Sequence, residues 1–110
     1  MRVSLSPMSF PEPFRAVVTG AGGGLGRALA QELARRGARL VLSDIDAAGL
    51  EETAAMLAEQ GARAESLLCD VADRAAVFGL VEEAAGRLGG IDLMANNAGV
   101  AVAGAFEEIS

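Results

Sequence analysis

Four short segments carry residues whose types and spacing could do chemistry. They are Thr19-Gly20-Ala21-Gly22-Gly23-Gly24-Leu25-Gly26, Asp44, Asp70-Val71 and Asn96-Asn97-Ala98-Gly99. The glycines lie between an apolar run, Ala16-Val17-Val18, and a helical pattern that starts at Leu25. A strand that ends in glycines and re-enters a helix gathers backbone N–H groups at the positive end of that helix, a place suited to phosphate or pyrophosphate. The spacing G-x-G-x-x-G fails from every starting glycine, because position 25 is Leu and position 27 is Arg, whereas G-x-x-x-G-x-G fits at Gly20, Gly24 and Gly26. In that arrangement Gly20 turns the chain sharply out of the strand. Gly22, Gly23 and Gly24 admit the ligand without a Cβ in its way, and Gly26 lets the helix pack close to the strand.

Asp44 follows the next apolar run and stands 18 residues beyond Gly26 (44 − 26). An acid about 20 residues past the glycines suits the hydroxyls of an adenosine ribose. A carboxylate there repels a 2′-phosphate, and neither Gly23 nor Ile45 offers an Arg to receive one. The cofactor this pattern calls for is NAD rather than NADP. Asp70 alone is more often a loop or capping residue than a contact, and paired asparagines can equally be turn formers.

The missing residue types exclude other chemistry. Among 110 residues there is no His, Lys, Tyr or Trp, and Cys69 is the single cysteine. A Ser-His triad, a histidine metal site, a Schiff-base lysine and a P-loop lysine are all ruled out within this sequence. No metal site and no disulfide are expected, and Cys69 reads as a buried, inert thiol. The net charge of −6 speaks against nucleic acid and anionic membranes as partners. With no signal-type or spanning segment, the cytoplasm is the expected compartment.

The elements that must position these residues follow from periodicity. Residues 1–13 hold three prolines and read as a flexible leader, with 14–110 as one domain. Strands are expected over 14–19, 39–43, 64–69 and 91–95. Between them, one helix carries Leu25, Ala28, Leu29 and Leu33 at helical spacing and stops at Gly37. A second is capped by Asp46, carries Leu50, Ala54 and Leu57, and ends at Gly61. A third is capped by Asp73, carries Val77, Leu80, Val81, Ala84 and Leu88, and ends at Gly89-Gly90. The order βαβαβαβ, with strands apolar enough to be covered on both faces, predicts an α/β fold: a Rossmann-type doubly wound parallel sheet, incomplete, with strand order 3-2-1-4. All four chemical segments then fall at the carboxyl ends of the strands, where open α/β sheets bind ligands.

Taken together, Thr19-Gly20-x-x-x-Gly24-x-Gly26, Asp44, Asp70-Val71 and Asn96-Asn97-Ala98-Gly99 resemble the N-terminal, cofactor-binding half of the short-chain dehydrogenase/reductase family. The resemblance implies an NAD(P)-dependent oxidoreductase moving a hydride between nicotinamide and an alcohol or ketone. It implies that the glycine segment holds the pyrophosphate, with the Leu25 amide contributing. Asp44, followed by Ile45, would hold the adenosine ribose, and Asp70, followed by Val71, the adenine. Asn97, Ala98 and Gly99 would line the path to the nicotinamide ribose. The family's Tyr-x-x-x-Lys pair and its preceding Ser have no counterpart here, so no catalytic residue is assigned, and the chain is expected to be the inactive N-terminal part of a longer, homo-oligomeric enzyme acting on a small molecule. A non-catalytic NAD-binding module is the alternative. The glycines also satisfy G-x-x-G-x-x-G through Gly20, Gly23 and Gly26, the pattern of the family's longer, epimerase-type branch. A methyltransferase also places glycines and an acid in this order, but lacks the Asn-Asn-Ala-Gly turn.

Overall fold

The structure, a computed structural model, describes residues 14–97. The leader expected at 1–13 and the site residues Ala98 and Gly99 lie outside the described residues. The chain runs β1 (Arg15–Thr19), α1 (Gly24–Arg35), β2 (Arg39–Asp44), α2 (Ala47–Glu59), β3 (Ala64–Leu68), α3 (Arg74–Leu88) and β4 (Leu93–Ala95). All strand pairs are parallel and the order is β3-β2-β1-β4, as expected. The chain winds outward from β1 to β3 and then returns across the sheet to β4, so the direction of winding reverses between β1 and β4.

Successive residues of a strand point to opposite faces, and the core divides accordingly. Ala16, Val18, Leu40 and Leu42 point to one face and pack with Ala30 and Leu33 of α1 and Leu50 and Leu57 of α2. Val17 and Val41 point to the other and pack with Leu80, Ala84 and Leu88 of α3. Both central strands are thus covered on both sides, which is why they read as unbroken apolar runs.

Local signals set the helix ends. Asp46 accepts from the Gly49 N–H at 3.1 Å, and Asp73 accepts from the Ala75 and Ala76 N–H groups at 3.0 and 3.3 Å. Such caps contribute about 1 kcal/mol each. Gly89 closes α3 in the left-handed region, with φ 82.

Several bounds and faces differ from expectation, with β1 beginning at Arg15 and β2 reaching Asp44. The covered-on-both-faces reading fails for β3, where Glu65, Ser66 and Leu68 are exposed. That strand lies at the sheet edge in the described residues, and it ends at Leu68 rather than Cys69. The buried side of α1 is Gly26, Ala30 and Leu33, while Leu25 and Ala28 face outward. A close approach explains the rotation: a Cβ on Gly26 would stand 2.0 Å from the Gly20 carbonyl oxygen, so Gly26 must face β1. Finally, β4 begins at Leu93 rather than Ile91; just before it the Arg15 N–H donates to the Asp92 carboxylate at 2.9 Å instead of to a backbone carbonyl.

Candidate functional site

The carboxyl ends of β1, β2 and β3, with the segment following β4, surround a cleft of about 500 Å³. Gly20, Gly23, Leu25, Asp44, Ile45, Asp70, Val71 and Asn97 line it. Eight of the residues singled out in the sequence therefore meet at one place. Gly22, Gly24 and Gly26 are not in the lining. Gly26 is buried behind it, against Gly20 and near the Asn97 side-chain nitrogen.

Each strand end delivers its residues by a specific contact. The Ala21 N–H donates to the Ser43 carbonyl at 3.0 Å, extending the β1–β2 pairing into the glycine loop. The Cys69 N–H donates to the Asp44 carbonyl at 3.1 Å and brings Asp70 beside the β2 end. Across the winding reversal, the Thr19 hydroxyl accepts from the Asn97 N–H at 2.9 Å and lies 2.9 Å from Asn96 Oδ1, to which it donates. Thr19 is fully packed, so this hydroxyl bridges β1 to the asparagine turn without competition from water.

Asp44 uses both carboxylate oxygens on backbone. Oδ2 accepts from the Gly22 N–H at 2.8 Å and Oδ1 from the Asp46 N–H at 3.0 Å. A Cβ on Gly22 would come within 2.8 Å of Asp44 Oδ2, so Gly22 is the glycine that makes room for the acid. Gly23 and Gly24 are different: a Cβ on either meets nothing within 4 Å. The open side of the loop is there. α1 starts at that point with no side-chain cap and no acid in its first turn, whereas Asp46 and Asp73 cap the other two helices. The first-turn N–H groups of α1 thus keep their donors for an anion. The open glycine loop and its uncapped N–H groups fit the diphosphate of a dinucleotide, and the carboxylate at the next strand end fits the hydroxyls of its ribose.

The walls are mixed in character. Leu25 and Ile45 are 74% and 69% exposed, so two large apolar side chains stand at the rim uncovered among the described residues. Among the described residues, Asp44 and Asp70 are the charged members of the lining and no Arg belongs to it. Asp70 also folds its own loop, with Oδ1 accepting from the Ala72 N–H at 3.0 Å. Behind it the Cys69 thiol is held above its usual pKa, first by burial and then by the charge of Asp70, against the Ser43 hydroxyl acting the other way. A protonated, buried thiol is a poor nucleophile.

Three residues that shape the site carry no role in the sequence reading. Arg27 donates through Nε to the Thr53 hydroxyl at 2.8 Å and through Nη2 to the Gly22 carbonyl at 2.9 Å. Thr53, buried in α2, donates to the Ala21 carbonyl at 2.7 Å. Gly49 packs on the glycine loop, where a Cβ would stand 2.3 Å from the Gly22 carbonyl oxygen. A glycine and a threonine four residues apart inside a helix were the available signal, since neither favours helix formation. Arg27 gave none.

Comparisons with known proteins agree with this geometry. The sequence model of the short chain dehydrogenase family matches residues 15–110. The 1-deoxy-11-beta-hydroxypentalenate dehydrogenase of Streptomyces avermitilis is 48% identical over 89 residues, covering 81% of this chain and 33% of that protein. The D-threitol dehydrogenase of Mycolicibacterium smegmatis is 41% identical over 95 residues, 86% of this chain and 36% of the relative. Among solved structures, a short chain dehydrogenase from Mycobacterium smegmatis superposes with a TM-score of 0.76 at 36% identity, over 80% of this chain and 38% of the other. The chain spans about a third of the length of the two dehydrogenases named first. With its parallel 3-2-1-4 sheet, its glycine loop and these matches, the chain belongs to the short-chain dehydrogenase family.

Proposed function

We propose that this chain is the NAD-binding part of an oxidoreductase that moves a hydride between nicotinamide and an alcohol or ketone. The observation that carries the reading is Asp44, held by backbone N–H groups at the end of β2 and lining the same cleft as Gly20 and Gly23. The uncapped N–H groups at the start of α1 bind the diphosphate. Asp44 accepts from the adenosine ribose hydroxyls, and its charge, with no Arg in the lining, disfavours a 2′-phosphate. Ile45, Val71 and the exposed Leu25 give apolar walls to a planar base, and Asp70 accepts from its amino group. Asn97, with Ala98 and Gly99 after it, borders the ribose on the nicotinamide side. When bound, the nicotinamide ring supplies the hydride chemistry, and the residues here orient it.

These 110 residues contain no Tyr and no Lys, so the general acid/base of the family's chemistry has no counterpart in them. We assign proton transfer and substrate selection to residues outside this sequence, and we propose that the 110-residue chain alone turns over no alcohol. The working enzyme is proposed to be a homo-oligomer acting on a small molecule in the cytoplasm. No described helix is long and apolar enough to cross a membrane.

A thermal-shift titration with NAD, NADP and S-adenosylmethionine tests the cofactor reading, since a ligand that binds the folded state raises apparent stability. NAD is expected to raise the transition most. A larger rise with S-adenosylmethionine, or none with any of the three, overturns it.

A further inference from the structure

We infer that Arg27 and Thr53 are positioning residues for cofactor choice, acting on Asp44 through the Gly22 peptide. This rests on the NAD reading above, and its physical basis is separate.

Gly22 is held through both its backbone N–H and its backbone carbonyl. Its N–H donates to Asp44 Oδ2 at 2.8 Å. Its carbonyl accepts from Arg27 Nη2 at 2.9 Å. The same Nη2 reaches the Gly49 carbonyl at 3.2 Å and Glu52 Oε1 at 3.0 Å. Arg27 Nε is fixed by the Thr53 hydroxyl at 2.8 Å, and that hydroxyl anchors on the Ala21 carbonyl at 2.7 Å. One guanidinium therefore ties the glycine loop to the first turns of α2, and a planar fork of donors is well suited to holding several oxygens at once.

The arrangement has no slack. Gly49 lacks the Cβ that would push the Gly22 carbonyl away, and Gly22 lacks the Cβ that would push Asp44 away. Asp44 sits 22 residues from Gly22 along the chain, so its orientation depends on where the loop is held, and Arg27 with Thr53 holds it. Arg27 is not in the cleft lining. Its effect on a ligand must pass through Gly22 and Asp44. Loosening it should harm the ligand that Asp44 welcomes more than the one that Asp44 repels.

The test uses the full chain with Thr53→Val, Thr53→Ser and Arg27→Met. Dissociation constants for NAD and NADP are measured by calorimetry, and amide hydrogen exchange of Gly22 is measured without ligand. Thr53→Val and Arg27→Met are expected to raise the NAD dissociation constant about tenfold, the scale of one hydrogen bond to a charged group. The NADP constant should change far less, and Gly22 exchange should accelerate. Thr53→Ser, which keeps the hydroxyl, should stay close to the parent chain in all three. Parallel weakening of both dinucleotides overturns the inference, as does unchanged Gly22 exchange in the two disruptive variants. If Thr53→Val fails to fold, Arg27→Met, whose site is 24% exposed, carries the same three readouts. A parent chain that binds NAD while its variants are unaltered overturns this inference alone. A parent chain that binds neither dinucleotide overturns the NAD reading and this inference with it.

Discussion

The Thr19 hydroxyl accepts from the Asn97 N–H at 2.9 Å although the two residues are 78 apart in sequence. It joins the end of β1 to the segment after β4 across the point where the winding of the sheet reverses, and it donates on to Asn96. Replacing Thr19 with Val keeps the shape and leaves the Asn97 N–H and the Asn96 oxygen without this partner. A stability loss of about 1–3 kcal/mol is expected, with weaker NAD binding in the same variant. Urea unfolding and an NAD titration check both. Full retention of both would mean that the bridge contributes nothing.

Asp44→Ala removes the acid that the Gly22 and Asp46 N–H groups orient. NAD affinity should fall about tenfold or more, as for loss of a hydrogen bond to a charged group. NADP should bind better than before, because no charge then opposes its 2′-phosphate. Tighter binding of NADP than NAD in the unmodified chain contradicts the role given to Asp44.

Gly26→Ala and Gly23→Ala should separate packing from ligand access. At position 26 the added methyl meets the Gly20 carbonyl at 2.0 Å, so the helix must move, at a cost of about 1–3 kcal/mol or more. At position 23 it meets nothing, and the backbone there is extended, with φ 172. Stability should change by less than about 0.5 kcal/mol, while NAD binding weakens because the methyl enters the open side of the loop. Melting curves and NAD titrations of the two variants give the comparison. Equal stability loss at both positions contradicts it.

Arg15 and Asp92 form a two-pronged ion pair, Nε to Oδ2 at 2.9 Å and Nη2 to Oδ1 at 3.0 Å, and the Arg15 N–H also donates to Oδ2. Those side-chain and backbone hydrogen bonds hold the Asp92 carboxyl below its ordinary pKa. Because the folded-state pKa is lowered, the stability it contributes is present above the unfolded value, about 3.9, and is lost as pH falls through the folded value. Urea midpoints measured from pH 7 down to pH 3 should fall less steeply below about pH 4 for Asp92→Asn than for the parent chain. Identical acid limbs would show that the pair is not felt.

Cys69 is 8% exposed, and burial raises its thiol pKa. Iodoacetamide labelling at pH 8 should be far slower in the folded chain than in urea, since the thiolate is the reactive form. Equal labelling rates would refute a buried, protonated thiol.

Much of this architecture was legible because its signals are local. The unbroken apolar runs of β1 and β2 call for cover on both faces, and the Asp46 and Asp73 caps lie within three residues of the N–H groups they serve. Those features need no knowledge of distant chain. The rotation of α1 was not legible: Leu25 and Ala28 lie at helical spacing with Leu33, yet the contact between Gly26 and the Gly20 carbonyl decides which side faces the sheet. The site divides in the same way. Gly20, Gly23, Asp44 and Asn97 follow from residue type at strand ends. The Arg27 and Thr53 clamp depends on α2 packing beside the glycine loop, and no spacing in the sequence encodes that distance.

The strand order also governs the timing of assembly. β1 leads the described strands in sequence and lies inside the sheet, with β2 along one edge and β4 along the other. During synthesis the first edge can pair as soon as residues 39–44 emerge, while the second waits for residues 93–95. For that interval Ala16, Val17 and Val18 present an open apolar edge, the kind that seeks other chains. Parallel pairing across such separations is slow to form. β4 closes this edge, and the Arg15–Asp92 pair, with the Asp92 N–H on the Arg15 carbonyl at 2.7 Å, fastens the start of that pairing.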